Sequence, residues 1–237
     1  VLLESSRSAD SAALGALERF ARDHGIVVER TGRAELDRRA RGVSHQGAMA
    51  LARPLVVTDL DETALGAMPL VLALDEVQDP QNFGAIIRSS VAMGATAVVW
   101  PEHRSAPLSP ATFRASAGAV EHAVLYRVPA LPRALERLRA EGLVVVGLDI
   151  TATLSIDEVD LNRPVSIVIG SEGKGLRKTV KGCCDVLARL PMPGPIEALN
   201  ASAAAAVALY EAARQRGVRG RSHAGSGADP DADPDAD

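Results

Sequence analysis

Aromatic residues are scarce in this 237-residue chain: three Phe, two Tyr and one Trp make up 3% of it. Hydrophobic residues nevertheless reach 47%, so the core must be aliphatic, built from Val, Leu, Ile and Ala. Cysteine is scarcer still, with Cys183 and Cys184 side by side. An adjacent pair supports neither a disulfide framework nor a metal cluster. Both are expected to be small, buried or half-buried residues of a protein kept in a reducing compartment. There is no apolar run of about 18 residues and no signal-peptide pattern, so a cytoplasmic protein without a membrane partner is expected.

The formal net charge of -4 is set by one end of the chain. The last ten residues, "ADPDADPDAD", hold five aspartates, and without them 25 acids face 26 bases. That repetitive Asp-Pro segment is expected to be disordered. Basic residues cluster at Arg38, Arg39 and Arg41 and again at Arg214, Arg216, Arg219 and Arg221. Such clusters fit solvated helix faces as well as a polyanion. Charge alone does not point to a nucleic acid.

Three regions follow from the pattern of residues. Within residues 1–50, "SAALGALERFARDHGI" has helical spacing at Ala13, Leu14, Leu17 and Phe20, and Gly25 is placed to end the helix. A short "IVVER" and a second helix around "RAELDRRARG" complete a small α/β unit. This unit is read as lacking its opening strand, and therefore as truncated. Residues 51–68 form a mixed linker with Pro54 and Gly66. Residues 69–218 alternate strands and helices, and 219–237 form the acidic tail. In the main body "PLVLAL", "TAVVW", "LVVVGL" and "VSIVIG" are continuous apolar runs, as expected of strands buried on both faces. Alternation of such strands with helices predicts an α/β fold with a mostly parallel sheet.

Three segments of the body concentrate polar residues among turn formers. In "IVIGSEGKGLRKT", residues 167–179, a strand runs through Gly170 toward a helix. A phosphate-binding loop needs four residues before its Gly-Lys-Ser/Thr. Here Gly170 is followed at once by Ser171, Glu172, Gly173, Lys174 and Gly175, and no hydroxyl follows Lys174 to hold magnesium. A dinucleotide GxGxxG fingerprint is also absent, so nucleotide-dependent kinases and ATPases are excluded. In "DEVQDPQNFGAIIRSS", residues 75–90, Asp79-Pro80 makes a turn and Asn82 stands at or near a helix N-cap. Phe83, Ile86, Ile87 and Val91 form the buried face of that helix, leaving Arg88 free to face a cleft. In "LPMPGPIEALNAS", residues 190–202, prolines and a glycine force an irregular loop before Asn200 and Ser202 open an Ala-rich helix. That loop leaves backbone groups free to hydrogen-bond a heterocycle edge. Taken singly, the polar residues of each segment are explained equally well by capping and turn formation.

Taken in order, "DPQNFGAIIR", "IVIGSEGKGL" and "LPMPGPIEALNAS" resemble the three motifs of the SpoU (TrmH-like) RNA 2′-O-methyltransferases of the SPOUT superfamily. The resemblance covers residues 69 to about 216. "HQGAMA" at 45–50, after "ELDRRARGVS", is similar to the end of the small substrate-recognition domain in that family's bacterial ribosomal-RNA branch. Ala198 and Ala201 depart from the family, whose members often carry Ser and Val there.

The resemblance implies a fold and a chemistry that periodicity does not reach. The fold is the α/β sheet with a deep trefoil knot in its C-terminal part, a topology pattern reasoning would not propose. S-adenosylmethionine lies folded in the knot, contacted by Leu148, Ile169, Gly170, Leu190, Met192 and Leu199. Arg88 assists attack by a ribose 2′-hydroxyl, and its permanent charge favours an electrostatic role over that of a base. Asn82, Glu172, Asn200 and Ser202 orient Arg88, the ribose and the loops, and Lys174 is an RNA-facing or surface charge. No metal is required. The partners implied are RNA, foremost a guanosine of 23S rRNA, and a second copy of the chain. That homodimer would use the small residues Ala203 to Ala206 of the last helix, which fit an internal core helix as well. Action on tRNA, methylation of an antibiotic-contact nucleotide, and an RNA-binding protein without catalysis are the alternatives.

Overall fold

The computed structural model describes residues 1–5, 12–58, 60, 65–196 and 198–217. The acidic tail lies outside the described residues, as do 59 and 61–64 of the linker.

Among the described residues of the first fifty, three strands form a small sheet. Strand β1 (Leu2–Glu4) pairs in parallel with β2 (Glu29–Thr31) and antiparallel with β3 (Ala48–Met49), so it lies in the centre. The expectation that an opening strand is missing is therefore corrected. Three residues, "LLE", suffice for the strand but are too few to show a period. Helix α1 (Ala12–Asp23) connects β1 to β2 and ends at Gly25, whose φ is +65°. It buries Leu14 and Ala21, whereas Phe20 is 54% exposed and stacks on His24 at 4.1 Å. Helix α2 (Arg33–Ala40) buries Leu36 and Ala40 and ends at Arg41 in the left-handed region. The end of the linker joins the larger body: Thr58 donates its backbone N–H to Leu125 O at 3.1 Å.

The larger body alternates as the sequence predicts. Its elements are β4 (Leu70–Leu74), α3 (Pro80–Ala92), β5 (Ala97–Pro101), α4 (Pro110–Ala115), β6 (Leu125–Val128) and α5 (Leu131–Ala140). They are followed by β7 (Val144–Leu148), β8 (Leu154–Ser155), β9 (Val165–Ile169), α6 (Lys178–Lys181), β10 (Val186–Arg189) and α7 (Ala201–Gln215). Among the described residues these strands make one seven-stranded sheet in the order β6-β5-β4-β9-β7-β10-β8. Every pairing in it is parallel.

Both faces of the sheet are covered, which is why its strands are apolar throughout. Leu70, Leu72, Leu74, Val98, Trp100, Ile167 and Ile169 pack on one side with Phe83 and Ile86 of α3 and with Ala205, Leu209 and Ala212 of α7. Val71, Ala73, Val99, Val145 and Val168 pack on the other with Leu131, Leu135 and Leu138 of α5. Three of the six aromatics, Phe83, Trp100 and Tyr126, are buried in this body. Val91, counted with the buried face of α3 on periodicity, is only half-buried, and Ser90 is buried instead. Among the described residues no helix is long and apolar enough to cross a membrane.

The C-terminal end of α7 is held by a polar clasp. Gln215 accepts the Leu161 N–H at 2.8 Å and donates to Val159 O at 3.0 Å. Arg216 donates to the carbonyls of Leu161, Arg163, Met68 and Pro69 at 2.6–3.1 Å. Helix α7 is thus tied to the loop before β9 and to the start of β4.

The cysteines follow α6. Each thiol donates to a carbonyl four residues earlier, Cys183 to Thr179 O at 3.3 Å and Cys184 to Val180 O at 3.4 Å. Burial pushes the Cys184 thiol up to about 12, with the neighbouring Cys183, Asp185 and Asp75 adding to it. Thiolate is the reactive form, so native protein at pH 8 is expected to react with a disulfide reagent far more slowly at Cys184 than unfolded protein does. Peptide mapping of the labelled sites reads this directly, and equal labelling of the two states would refute it. The sign for stability follows. The buried neutral thiol stabilises the fold below the ordinary thiol range, and this contribution falls as pH rises through that range and the unfolded chain ionises.

Candidate functional site

Because the strands are parallel, their carboxyl ends share one edge of the sheet, where α/β folds place ligands. Asp75, Asp149, Gly170 and Leu190 directly follow β4, β7, β9 and β10. The register sets Leu74 beside Ile169, Gly147 beside Val168 and Leu148 beside Ala188. The segments after β7, β9 and β10 therefore emerge next to one another.

These three segments enclose a cleft of about 580 Å³. Leu148, Ile169, Gly170, Leu190, Met192 and Leu199 all line it. The expectation of free backbone groups in the Pro-rich loop also holds. Among the described residues, no backbone group from 191 to 199 hydrogen-bonds to other backbone. Apolar side chains beside N–H and C=O groups that have no backbone partner make a site for a flat heterocycle with polar edges.

A smaller cleft of about 260 Å³ adjoins it, lined by Glu76, Gln78, Asp79 and Asn82 on one side. Ser171, Glu172, Lys174 and Ala201 line both clefts, so the 171–175 loop is the partition between them. That loop closes on itself: Ser171 N–H donates to Gly175 O at 3.2 Å, and Gly175 N–H to Ser171 O at 2.9 Å. Its tip, Gly173, has φ +75°.

Asn82 and Glu172, ninety residues apart in sequence, meet at this partition, where the Asn82 side-chain amide donates to Glu172 Oε1. Asn82 does not cap α3. Asp79 is the N-cap, accepting the N–H groups of Gln81 at 3.2 Å and Asn82 at 3.1 Å. Asp79 satisfies the helix end, and this leaves the Asn82 side chain at the third helical position to reach across. Asn200 is the N-cap of α7; its Oδ1 accepts Ala203 N–H at 2.8 Å and Ser202 Oγ–H at 3.2 Å. Arg88 is not brought to either cleft wall. Six residues beyond Asn82, it lies about 120° around the helix from it. Its side chain is exposed and makes no hydrogen bond or ion pair among the described residues. Lys174 is likewise exposed.

Three acids at this edge hold ion pairs that the sequence motifs do not announce. Buried Asp75 accepts the Arg177 backbone N–H at 2.8 Å and its Nε at 2.7 Å, with Nη2 also 2.7 Å away. Glu76, at φ +58°, pairs with Arg104 at 3.1 Å and lies 3.5 Å from Arg177 Nε. Asp149 pairs with Lys181. The available signal was positional: Asp75 and Asp149 each follow at once on a buried apolar strand, "LVLAL" and "VVVGL".

Residues 69–210 match the sequence model of the SpoU rRNA Methylase family. Over 202 residues the chain is 43% identical to an uncharacterized tRNA/rRNA methyltransferase of Mycolicibacterium vanbaalenii, covering 83% of this chain and 64% of that protein. The chain thus spans a little under two thirds of the mycobacterial relatives it matches. It is 40% identical to the 23S rRNA (guanosine-2′-O-)-methyltransferase RlmB of Photobacterium profundum, covering 83% of this chain and 82% of that one. In structure it is similar to the SpoU methyltransferase AviRb of Streptomyces viridochromogenes in complex with the cofactor AdoMet. The TM-score is 0.73 and the identity 28%, over 92% of this chain and 82% of that one.

Proposed function

The chain belongs to the SpoU rRNA methylase family, and we propose from this that it is an S-adenosylmethionine-dependent RNA ribose 2′-O-methyltransferase whose substrate is a guanosine of 23S rRNA. The observation that carries the reading is the convergence of three strand-end loops on one cleft that combines apolar side chains with backbone groups lacking backbone partners, beside a second cleft holding Asn82 and Glu172. A cofactor-bound structural relative and an RlmB relative support the cofactor and the substrate.

In this proposal Leu148, Ile169, Leu190, Met192 and Leu199 hold S-adenosylmethionine by apolar contact, and the N–H and C=O groups of 191–196 and 198–199, which have no backbone partner among the described residues, meet the adenine edge. The cofactor supplies an electrophilic sulfonium methyl group. A ribose 2′-hydroxyl is a poor nucleophile at neutral pH, so charge stabilisation at its oxygen is the protein's main task. Arg88, which has no ion pair among the described residues, supplies that charge once RNA lies across the edge of the sheet. The Asn82–Glu172 hydrogen bond fixes the partition between the clefts, and Asn200 with Ser202 fixes the start of α7.

Two further parts of the reading concern topology and assembly. We propose that the C-terminal segment is threaded as a trefoil knot. Placement of β10 between β7 and β8, with the α7 clasp onto residues 159–163, supports this. We also propose a homodimer through the outer face of α7. Ala205, Ala208 and Ala212 are taken up inside the chain, but Val207 and Tyr210 remain 43% and 59% exposed on the outside. An apolar stripe of this kind fits packing against a second copy.

Calorimetric titration with S-adenosylmethionine and mass-spectrometric mapping of 2′-O-methyl groups in ribosomal RNA, with and without the protein, test the proposal. Cofactor binding and one new methylated guanosine in 23S rRNA are expected. Absence of cofactor binding would leave an RNA-binding protein without catalysis. Methylation of tRNA with ribosomal RNA untouched would move the substrate to tRNA.

A further inference from the structure

Asp149 ties the first loop of the larger cleft to β10 and to α6, the elements that flank its other two loops. It stands in that first loop, directly after β7. Its Oδ1 accepts both the backbone N–H of Thr151 at 2.9 Å and the Thr151 hydroxyl at 2.8 Å, which folds residues 149–151 into a tight turn. Its backbone N–H donates to Ala188 O at 2.9 Å, at the end of β10 and two residues before Leu190. Its carboxylate pairs with Lys181 of α6, the helix that continues the 170–175 loop. The Asp149 side chain is only 6% exposed, that of Lys181 36%, and both lie in the wall of the cleft.

We propose that Asp149 and Lys181 are a positioning pair that sets the affinity for S-adenosylmethionine by locking these three loops together. The inference rests on the reading of this cleft as the cofactor site. The carboxylate is committed to protein partners: Thr151 takes one oxygen twice and Lys181 the other. Burial by itself disfavours the charged carboxylate, but Lys181 and Thr151 more than offset it and hold Asp149 below the usual range. A charge that costs desolvation and is neutralised across two loops fixes their separation. One helical turn before Lys181, Arg177 at the N-cap of α6 is fixed by buried Asp75 to the end of β4 and the approach to α3. The segment from Gly170 to Lys181 is therefore anchored toward the substrate side by one pair and toward the cofactor side by the other. Loops held in their bound arrangement before binding lose less entropy when the ligand arrives.

The test is calorimetry on the full chain with S-adenosylmethionine, joined to methylation kinetics and thermal unfolding. Asp149→Asn keeps an acceptor for Thr151 but loses the charge, and Lys181→Met loses the ammonium. Each is expected to raise the cofactor Kd and KM about tenfold, with kcat at saturating cofactor within about twofold of the unmodified protein. The double variant should be no worse than the weaker single one, because both remove the same pair. Lys181→Arg should retain most of the affinity, and Lys178→Met, on the same short helix, all of it. An unchanged Kd in Lys181→Met, whatever its melting temperature, overturns the inference. A loss confined to Asp149→Asn also overturns it, since Asp149 would then act by direct contact. Failure of the unmodified chain to bind S-adenosylmethionine overturns the functional reading as well, so the two failures are distinguishable.

Discussion

Replacement of Arg88 by alanine is expected to lower kcat for RNA methylation by about 10²–10³-fold, the loss typical when a preorganised charge is removed from a developing oxyanion. The cofactor Kd should stay within about twofold, because Arg88 lines neither cleft wall. Stability should also be unchanged, since its exposed side chain makes no ion pair or hydrogen bond among the described residues and packs on no core face. A side chain so placed among the described residues is available to a polyanion. Lysine at this position should restore only part of the rate, because an ammonium carries the charge without the planar fork that spans two oxygens. Single-turnover methylation with saturating cofactor separates chemistry from binding. A well-folded Arg88→Ala protein that methylates at the normal rate, or that no longer binds cofactor, would remove Arg88 from the role proposed for it.

The parts of this protein that could be read in advance are those whose cause is local. Buried parallel strands announce themselves as apolar runs, so β4, β5, β7 and β9 were legible to within a residue or two. Asn200 was legible as a cap because it stands directly before an uninterrupted helical stretch. Asn82 stands near the cap of α3 but does not supply it, because Asp79-Pro80 provides both the cap and the first helical residue, and the segment holds two cap-forming residues three positions apart. The helix expected after Gly175 is a single turn, Lys178–Lys181, since Gly182 and the paired cysteines follow at once. What joins the site was not legible at all. The Asp75–Arg177 pair spans 102 residues, and nothing near either residue specifies the other. Only the insertion of β9 between β4 and β7 brings them together.

Gly170→Ala is expected to cost about 3 kcal/mol of stability or more, the upper range for overpacking, and to abolish measurable cofactor binding. The reason is not backbone conformation, because Gly170 is not among the residues with positive φ. A Cβ built there would lie 2.2 Å from Gly175 C, 2.5 Å from Gly175 O and 2.5 Å from Leu176 N. All three are backbone atoms, so no side chain can rotate away to make room. Relief would require opening the Ser171–Gly175 bridge and displacing Leu176, which is 4% exposed, together with the adjoining Arg177 anchor on Asp75. Gly173 provides the internal comparison. It sits at φ +75° with nothing within 4 Å of its would-be Cβ, so alanine there should cost only the left-handed strain of about 1–2 kcal/mol. Denaturant unfolding of the two variants side by side decides the matter. Equal destabilisation would mean that the loop yields at Gly170, and that the glycine serves close approach of the ligand. The larger loss at Gly170 would mean that this glycine lets the chain pack against itself, building the partition between the two clefts before any ligand arrives.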